Sequence, residues 1–369
     1  MMRSAVIFGS SITSSRNNGA TVFFRGMCQA LARAGLQTIF AEEARGEAWN
    51  ENSLSGIVVR HYATPADVLR ILAATQPPRL IIKFVECGSM DDVLEETLVS
   101  FVQERDLVIF VDGDAPVILG EIHRSPNHPL RRTLPTFDGV LVLAGGEAAA
   151  REYQDLGASR VRWGYCAVDE QYWHPVAPSP LFQCDLLFIA NRLPDRDSRV
   201  REFFLRPATL CPDRRFLLAG SGWECLDLPR NVGYIGHLSP QDLRQAYSSA
   251  LLVLNVNREP MARYGYSPAS RMFEAASCGA CIVSDRWPGV EKVFTPGEEM
   301  LLASGGTEVS ALLQGLATST LKRIGTAARR RVEKDYTCDR WVKWLFETVG
   351  EWRSTSVGET RFAKTSGDA

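Results

Sequence analysis

The sequence predicts an α/β protein of two domains, each built on a parallel sheet with helices on its faces. Apolar runs of strand length alternate with amphipathic helical segments along the chain. The 369 residues are also more than one hydrophobic core usually serves. Three prolines between residues 173 and 180 forbid a regular element there. We therefore expect domains at 1–174 and 175–338, a packing helix at 339–353 and a disordered tail at 354–369.

The strands predicted in the first half come before the proline-rich stretch; they are 5–9, 37–41, 57–61, 80–85, 107–111, 139–143 and 160–163. The second half repeats the alternation, with strands at 185–190, 215–219, 232–234, 251–255 and 280–284. The clearest helical segments are 20–33, 91–104, 310–333 and 339–352. Because sheets of this kind bind ligands beyond the carboxyl ends of their strands, the loops at those ends are where we expect functional residues.

Composition narrows the class of protein. The chain is 45% hydrophobic and 23% charged, and its formal net charge of -2 gives no general reason to bind nucleic acid or an anionic membrane. No apolar run has the length of a membrane span, and the first residues resemble a strand rather than a signal peptide. The nine cysteines are mostly scattered in apolar contexts, which is typical of reduced thiols in a cytoplasmic protein.

The most informative segment is 266–279, which follows the apolar run 250–257. Ser267 is predicted to cap a helix with Pro268 in its first position, and Gly279 is where that helix should stop. A helix that begins at the end of a buried strand offers free amides to an anion.

One carboxylate, Glu274, lies among the apolar residues of that helix. A buried charge needs a partner, and the two hydroxyls of a nucleotide ribose are suitable donors. The alternative is an ion pair with Arg271, three residues earlier on the same helix.

A second cluster of charge follows the first strand of the second half. Arg192, Arg196 and Arg199 are three cations at a strand-to-helix loop, the position where a diphosphate would lie. Asp195 and Asp197 are close enough in sequence to neutralise some of them. A solvated salt-bridge cluster is therefore the competing interpretation.

Weaker signals come from glycine-containing loops. Gly222 would let a base approach the backbone and Trp223 would offer a stacking face, although a strand-ending turn explains both. His237 ends another strand, where its main chain could contact a base. Gly19 closes a polar loop before the first helix, and this loop lacks the spacing of a dinucleotide-binding motif.

Two patterns have the form of metal-binding motifs. Asp112 and Asp114 end an apolar strand, where they could bind a metal, hold the hydroxyls of an acceptor or act as a base. The position of Asp114 before Ala-Pro instead favours a helix cap, and a metal would need more oxygen ligands than this pair supplies. Cys278 and Cys281 form a C-x-x-C without a second pair, so two small buried residues explain them and no metal is expected.

Taken together, several motifs identify a family resemblance. They are the loop 9–19 with Phe-Arg-Gly at 24–26, Val-Asp-Gly-Asp-Ala-Pro at 111–116, Thr-Phe-Asp-Gly at 136–139, Tyr-Cys-Ala-Val-Asp at 165–169, the segment 265–279, Asp-Arg-Trp-Pro-Gly at 285–289 and the stretch 296–303. With these motifs the chain resembles glycosyltransferases of the GT-B fold, in particular the group around the spore maturation protein CgeB.

The resemblance implies two Rossmann-like domains that face a central cleft, with a C-terminal helix that crosses back to the first domain. It implies that the second domain holds a nucleotide sugar, with Glu274 on the ribose and Arg196 beside the phosphates. The donor-binding set that follows is Gly19, Arg192, Arg196, Arg199, Gly222, Trp223, His237, Tyr266, Ser267, Pro268, Arg271 and Glu274. Related enzymes carry another glutamate eight residues before the one that matches Glu274. In this chain that position is occupied by Tyr266.

The expected activity is therefore transfer of a hexosyl group from a nucleoside diphosphate sugar, with UDP favoured, to an acceptor hydroxyl. Arg196 and Asp112 are the predicted catalytic residues, with Asp112 on the acceptor side. Neither a cofactor nor a metal is expected, and retention of configuration is favoured by relatedness of fold. The alternatives are a nucleotide-sugar epimerase of the same fold and a non-catalytic binding protein; acceptor and oligomeric state are left open.

Overall fold

The computed structural model describes residues 2–13, 19–44, 56–101, 103 and 105–355. Within them, thirteen strands form two sheets. Seven strands belong to the first sheet: β1 (Ser4–Phe8), β2 (Gln37–Glu43), β3 (Ile57–Tyr62), β4 (Arg79–Phe84), β5 (Leu107–Asp112), β6 (Gly139–Val142) and β7 (Val161–Trp163). Six belong to the second: β8 (Cys184–Ile189), β9 (Phe216–Ala219), β10 (Val232–Tyr234), β11 (Ala250–Asn255), β12 (Cys281–Asp285) and β13 (Leu301–Ala303).

Both sheets are parallel and doubly wound. The first has the order β3-β2-β1-β4-β5-β6-β7 and the second the order β10-β9-β8-β11-β12-β13. The register places Val6 beside Ile39 and Ile81 in the first sheet, and Val253 beside Leu187 and Ile282 in the second. The central strands are buried on both faces, which is why they appear in the sequence as continuous apolar runs.

Helices cover the faces of the sheets. Those of the first half are α1 (Gly19–Arg33), α2 (Pro65–Ala73), α3 (Asp91–Phe101), α4 (Ala115–Arg124), α5 (Leu130–Thr133) and α6 (Gly146–Asp155). Those of the second half are α7 (Asp197–Val200), α8 (Arg206–Leu210), α9 (Pro240–Ser249), α10 (Glu259–Tyr264), α11 (Ser270–Ser277), α12 (Val290–Val293), α13 (Gly306–Gly315), α14 (Thr318–Asp335) and α15 (Cys338–Thr355). A 3-10 turn follows α5, and a π-helical turn joins α7 to α8.

All the predicted strands occur, and β13 at the edge of the second sheet is one that the sequence analysis did not predict. The segment predicted as one helix over 310–333 is wrong in its continuity: α13 ends at Gly315, and α14 begins after Ala317, whose backbone is extended (φ -69°, ψ 144°). The predicted disordered tail lies outside the described residues except for its first two positions, which close α15. Residues 14–18 of the loop that ends at Gly19 lie outside them as well.

The C-terminal helix joins the two halves. Trp341, Leu345 and Trp352 of α15 are buried in the core of the first sheet, and the ring of Trp352 covers Gly139 at the start of β6. The chain crosses between the sheets over 164–183 and returns at Thr337, which pairs with Val168. The predicted boundary at 174/175 falls within the first of these two crossings.

The result is a pair of Rossmann-like domains that face a central cleft, with the carboxyl ends of several strands from both sheets directed toward it. This is the GT-B architecture. The loops after β5, β6, β8, β9, β10 and β11, and helix α11 that follows β11 and α10, carry most of the residues predicted for the site.

Candidate functional site

Arg196 is the most unusual charge in the second domain. It precedes α7, in the loop after β8, and its side chain is 6% exposed. One amino group donates to the carbonyl of Asn191 at 2.6 Å, while Nε has no hydrogen-bond partner among the residues that the structure describes. Burial and the neighbouring guanidinium of Arg271 lower the pKa of Arg196 to about 9, so it remains a cation at neutral pH. A buried cation without a carboxylate partner is costly unless an anion joins it.

Arg271 approaches the same point from α11. Its guanidinium donates to the carbonyl of Ile189 and to Oδ1 of Asn255, each at 3.0 Å. The guanidinium carbons of Arg196 and Arg271 lie 5.9 and 5.6 Å from the centroid of the Phe188 ring. Burial lowers the pKa of Arg271 as well. Two cations thus lie against one aromatic ring near the end of β8.

The other two predicted arginines are neutralised. Arg192 pairs with Asp197 at 2.6 Å, and Arg199 pairs with the buried Asp285 and, at 3.2 Å, with Glu259. Asp195 pairs instead with Arg258, at 2.8 Å. The salt-bridge interpretation therefore holds for Arg192 and Arg199, whereas Arg196 fits the anion-binding interpretation.

The start of α11 differs from the prediction. The residue that precedes the helix is Ala269, with extended backbone (φ -70°, ψ 146°), and the first helical residue is Ser270. The prediction that Ser267 caps the helix with Pro268 in its first turn is therefore wrong. The Ser267 hydroxyl accepts from the amide of Gly145 at 2.9 Å and donates to the carbonyl of Gly265 at 2.7 Å. Both its hydrogen-bonding functions are used before the helix begins.

Glu274 is buried in the middle of α11, with 6% of its surface exposed. Oε2 accepts from the Tyr247 hydroxyl at 3.3 Å, and no ion pair with Arg271 occurs in the part of the chain described. Burial raises the pKa of Glu274 to about 7, against the opposing effects of the Arg271 charge and of side-chain hydrogen bonds from Ser270 and Tyr247. A buried carboxylate without an ion-pair partner among the described residues would gain from hydroxyl donors of a ligand.

The loops after β9 and β10 are held together, and the predicted role of Trp223 as a stacking face is wrong. Trp223 is 1% exposed and its indole donates to the carbonyl of Ala190 at 2.7 Å, so its ring belongs to the hydrophobic core.

The other residues predicted in glycine-containing loops are Gly222, His237 and Gly19. Gly222 has a left-handed backbone (φ 89°), and a Cβ there would lie 3.0 Å from the Cβ of Arg192. His237 follows Gly236 and is exposed. Gly19 is the first residue of α1, on the opposite side of the cleft.

Asp112 is held by hydrogen bonds inside the first domain. It is fully buried at the end of β5, where it accepts from the Tyr153 hydroxyl and, at 2.7 Å, from the amide of Asp114. Burial raises its pKa to about 7. Asp114 occupies the predicted cap position of α4, although its side chain makes no capping hydrogen bond. Full burial and these two hydrogen bonds favour a structural role for Asp112, and the acceptor-side role stays a prediction.

A polar network behind Arg271 escaped the sequence analysis. Asn255 at the end of β11 donates to Ser284, at 3.0 Å, while its carbonyl oxygen holds Arg271. The side-chain amide of Asn257 donates to the carbonyl of Ser267 at 2.9 Å, and its backbone amide donates to the carboxylate of Asp285. Two asparagines two residues apart at the end of an apolar strand were the available signal, since unpaired amides are rare at buried positions.

The two sequence patterns that have the form of metal-binding motifs, Asp112 with Asp114 and Cys278 with Cys281, gather no further metal ligands among the described residues. Within the described ranges no cluster of three or more His, Cys, Asp or Glu side chains could hold a metal ion. Cys278 and Cys281 are buried free thiols, and burial raises the pKa of each to about 12, so neither is a ready thiolate. In the same residues, no helix has the length and apolarity needed to cross a membrane.

Comparison with solved structures shows the same fold over almost the whole chain. Sucrose-phosphate synthase from Thermosynechococcus elongatus superposes with a TM-score of 0.70 at 14% identity, over 95% of this chain and 100% of that one. Anabaena HepE in complex with UDP and glucose gives a TM-score of 0.66 at 14% identity, over 95% and 100%. The catalytic domain of Arabidopsis thaliana starch synthase IV bound to ADP and acarbose gives 0.69 at 9% identity, over 96% and 99%.

Sequence comparison adds one match. Residues 196–347 match the model of a family described as glycosyl transferase-like. The comparison with curated protein sequences found no match. The matched segment begins at Arg196 and contains Arg271 and Glu274, so the three side chains singled out above on geometry all lie within it.

Proposed function

We propose that the protein is a glycosyltransferase that moves a hexosyl group from a nucleoside diphosphate sugar, preferably a UDP-sugar, to an acceptor hydroxyl. The observation that carries the proposal is the convergence of Arg196 and Arg271 on Phe188, with Glu274 one helical turn beyond Arg271. The glycosyl transferase-like family model over 196–347 and the neighbour with bound UDP-glucose support the same activity. The CgeB-like group remains our subfamily assignment.

In the proposed complex the diphosphate lies between the two arginines and the first amides of α11. Its negative charge would offset the burial of Arg196, and the two guanidiniums would stabilise the charge that develops as the diphosphate leaves. Because these cations are already in position, we propose that transfer needs no metal ion. The ribose hydroxyls would donate to Glu274, which fixes the donor about one helical turn from the phosphates.

The acceptor would enter from the first domain. As the bond between the anomeric carbon and the diphosphate oxygen breaks, the acceptor oxygen bonds to that carbon and its proton passes to the departing diphosphate. Closure of the domains would exclude water that could hydrolyse the donor. We propose that the transferred sugar keeps its configuration, because relatedness of fold favours retention.

The proposal is tested by a thermal-shift screen of the purified protein against UDP, GDP, ADP, CMP and dTDP and their sugars. A ligand at one hundred times its dissociation constant should stabilise the protein by about 2.7 kcal/mol. We expect UDP and one UDP-sugar to do so, and Glu274→Ala to abolish the shift while the variant keeps a cooperative melting curve. Absence of a shift with every nucleotide would contradict a donor site.

Product analysis separates transfer from the competing activities. Incubation with the stabilising nucleotide sugar alone should leave the sugar configuration unchanged, whereas an epimerase would convert it. A panel of hydroxyl acceptors should then yield a glycoside and free nucleoside diphosphate. Donor binding without turnover against any acceptor would instead support a binding protein.

A further inference from the structure

The segment directly before α11 touches the opposite domain. Tyr264, Tyr266 and Ser267 belong to the second domain, and all three contact α6 of the first or the glycine that precedes it. The Tyr264 hydroxyl donates to Oε1 of Glu152 at 2.9 Å. The amide of Gly145 donates to the Tyr266 carbonyl at 3.2 Å and to the Ser267 hydroxyl at 2.9 Å.

Tyr266 is seated between glycines of both domains. A Cβ added to Gly146 would lie 2.8 Å from the Tyr266 side chain, and one added to Gly289 would lie 2.6 Å from its ring. On a third side, the ring of Trp163 meets it edge-on at 5.7 Å. Only residues without side chains leave room for this aromatic ring.

The backbone of Tyr266 is held in a conformation that such a residue seldom adopts. Its φ is 47°, in the left-handed region, and its amide donates to the carbonyl of Pro288 at 2.7 Å. Asn257 fixes the next carbonyl, that of Ser267. The surroundings on both sides therefore determine the backbone conformation of Tyr266, and α11 starts four residues after it.

We propose that Tyr266 is a positioning residue that couples occupation of the donor site to the orientation of the first domain through α6. The inference rests on the proposed function, because the ligand that α11 would bind is the donor diphosphate. Binding at the start of α11 orders Tyr266 and Ser267, and these in turn hold Gly145 and Gly146. Coupling of this kind is reciprocal, so the contacts of Gly145 and Gly146 with Tyr266 and Ser267 should also favour binding at the donor site.

Hydrogen exchange of the full-length protein, with and without UDP, tests the coupling. In the wild type we expect UDP to slow amide exchange in 265–279 and also in 145–155, which belongs to the other domain. Tyr266→Gly accommodates the left-handed backbone but removes the ring; it should keep the protection of 265–279 and lose that of 145–155. Tyr266→Phe keeps the ring and should restore both.

A variant of the first domain gives an independent test with a matched control. Gly146→Ala places a methyl group against Tyr266, whereas Gly157→Ala introduces a left-handed alanine (φ 98°) just beyond the other end of α6, against Pro135. Both strain the ends of one helix, but only Gly146→Ala should remove the UDP-dependent protection of 145–155.

The outcomes are distinguishable. Protection of 145–155 that persists in Tyr266→Gly, or wild-type protection confined to 265–279, overturns the coupling and leaves the proposed function intact. Absence of UDP-dependent protection at 265–279 in the wild type contradicts the UDP-dependent function itself, and the coupling with it. An equal loss of the UDP-dependent protection of 145–155 in Gly157→Ala would mean that general destabilisation of α6 causes the effect. That result would also overturn the inference.

Discussion

Arg196 and Arg271 are 75 residues apart in the sequence, yet their guanidinium groups lie 5.9 and 5.6 Å from the centroid of one phenylalanine ring, that of Phe188. Like charges repel, and the Arg271 charge is the second largest cause of the lowered pKa of Arg196, after burial. Folding places them together without a carboxylate in ion-pair contact with either, within the residues described. An anion bound at the end of this strand would offset the repulsion between the two guanidinium groups, so this pair is suited to anion binding.

Replacement of Arg196 should separate binding from stability. We expect Arg196→Gln to weaken UDP binding by about 10- to 100-fold, which corresponds to a charge-assisted interaction of about 1.5–3 kcal/mol. The melting temperature of the ligand-free variant should be unchanged or higher, because a costly buried charge is gone. Isothermal titration and thermal unfolding measure the two effects.

Arg192→Gln is the matched control, since Arg192 lies in the same loop but pairs with Asp197. It should change UDP affinity far less than Arg196→Gln. Equal losses in the two variants would mean that the loop acts through its total charge rather than through the buried guanidinium.

Donor affinity should depend on pH through Glu274. Its pKa is raised to about 7, so the carboxylate that we propose accepts from ribose hydroxyls is mostly protonated at pH 6 and mostly ionised at pH 8. We expect UDP-glucose affinity to rise about tenfold across this interval. Glu274→Gln should bind weakly and with a flat pH profile. Titration calorimetry at pH 6, 7 and 8 checks this, and an unchanged slope in the glutamine variant would remove Glu274 from the donor contact.

Asp112 should influence stability rather than chemistry. Its pKa is about 7 in the folded protein and near the ordinary value of about 3.8 when unfolded, so between these values the native state holds the extra proton. Its contribution to the free energy of unfolding therefore falls as pH rises from about 4 to about 7. The free energy of unfolding of Asp112→Asn lacks this fall with pH. The difference in free energy of unfolding between wild type and Asp112→Asn should therefore be smaller at pH 8 than at pH 5.5.

Urea unfolding at the two pH values measures that difference, while donor binding by the same variant tests the location of the residue. UDP affinity within about threefold of wild type is expected, since both oxygens of Asp112 bond inside the first domain. A loss of donor affinity as large as that of Arg196→Gln would contradict a purely structural carboxylate.

The C-terminal helix should be essential to the first domain. Trp352 is 6% exposed and covers Gly139, so Trp352→Ala should reduce the free energy of unfolding by about 3–5 kcal/mol. Lys343→Ala, on an exposed position of the same helix, is the control and should change it by less than about 0.5 kcal/mol. Denaturant unfolding of both variants measures the difference.

The sequence by itself determined most of the strands and helices and the class of two parallel-sheet domains. Strand and helix periods are local, so the parallel sheets, the importance of the segment before Gly279 and the isolation of Glu274 among apolar residues followed from neighbouring residues alone. The family resemblance added the GT-B arrangement, which the superpositions confirm as a fold.

Only the tertiary structure decided which charges are paired. Arg199 finds Asp285, 86 residues away, and Asp112 finds Tyr153, 41 residues away, and neither partner is visible in a local window. The same holds for Ser267, whose hydroxyl serves Gly145 of the other domain instead of capping its own helix. Electrostatic and hydrogen-bonding roles depend on distances of a few ångströms between remote parts of the chain, and these distances exist only once both domains are folded and packed together.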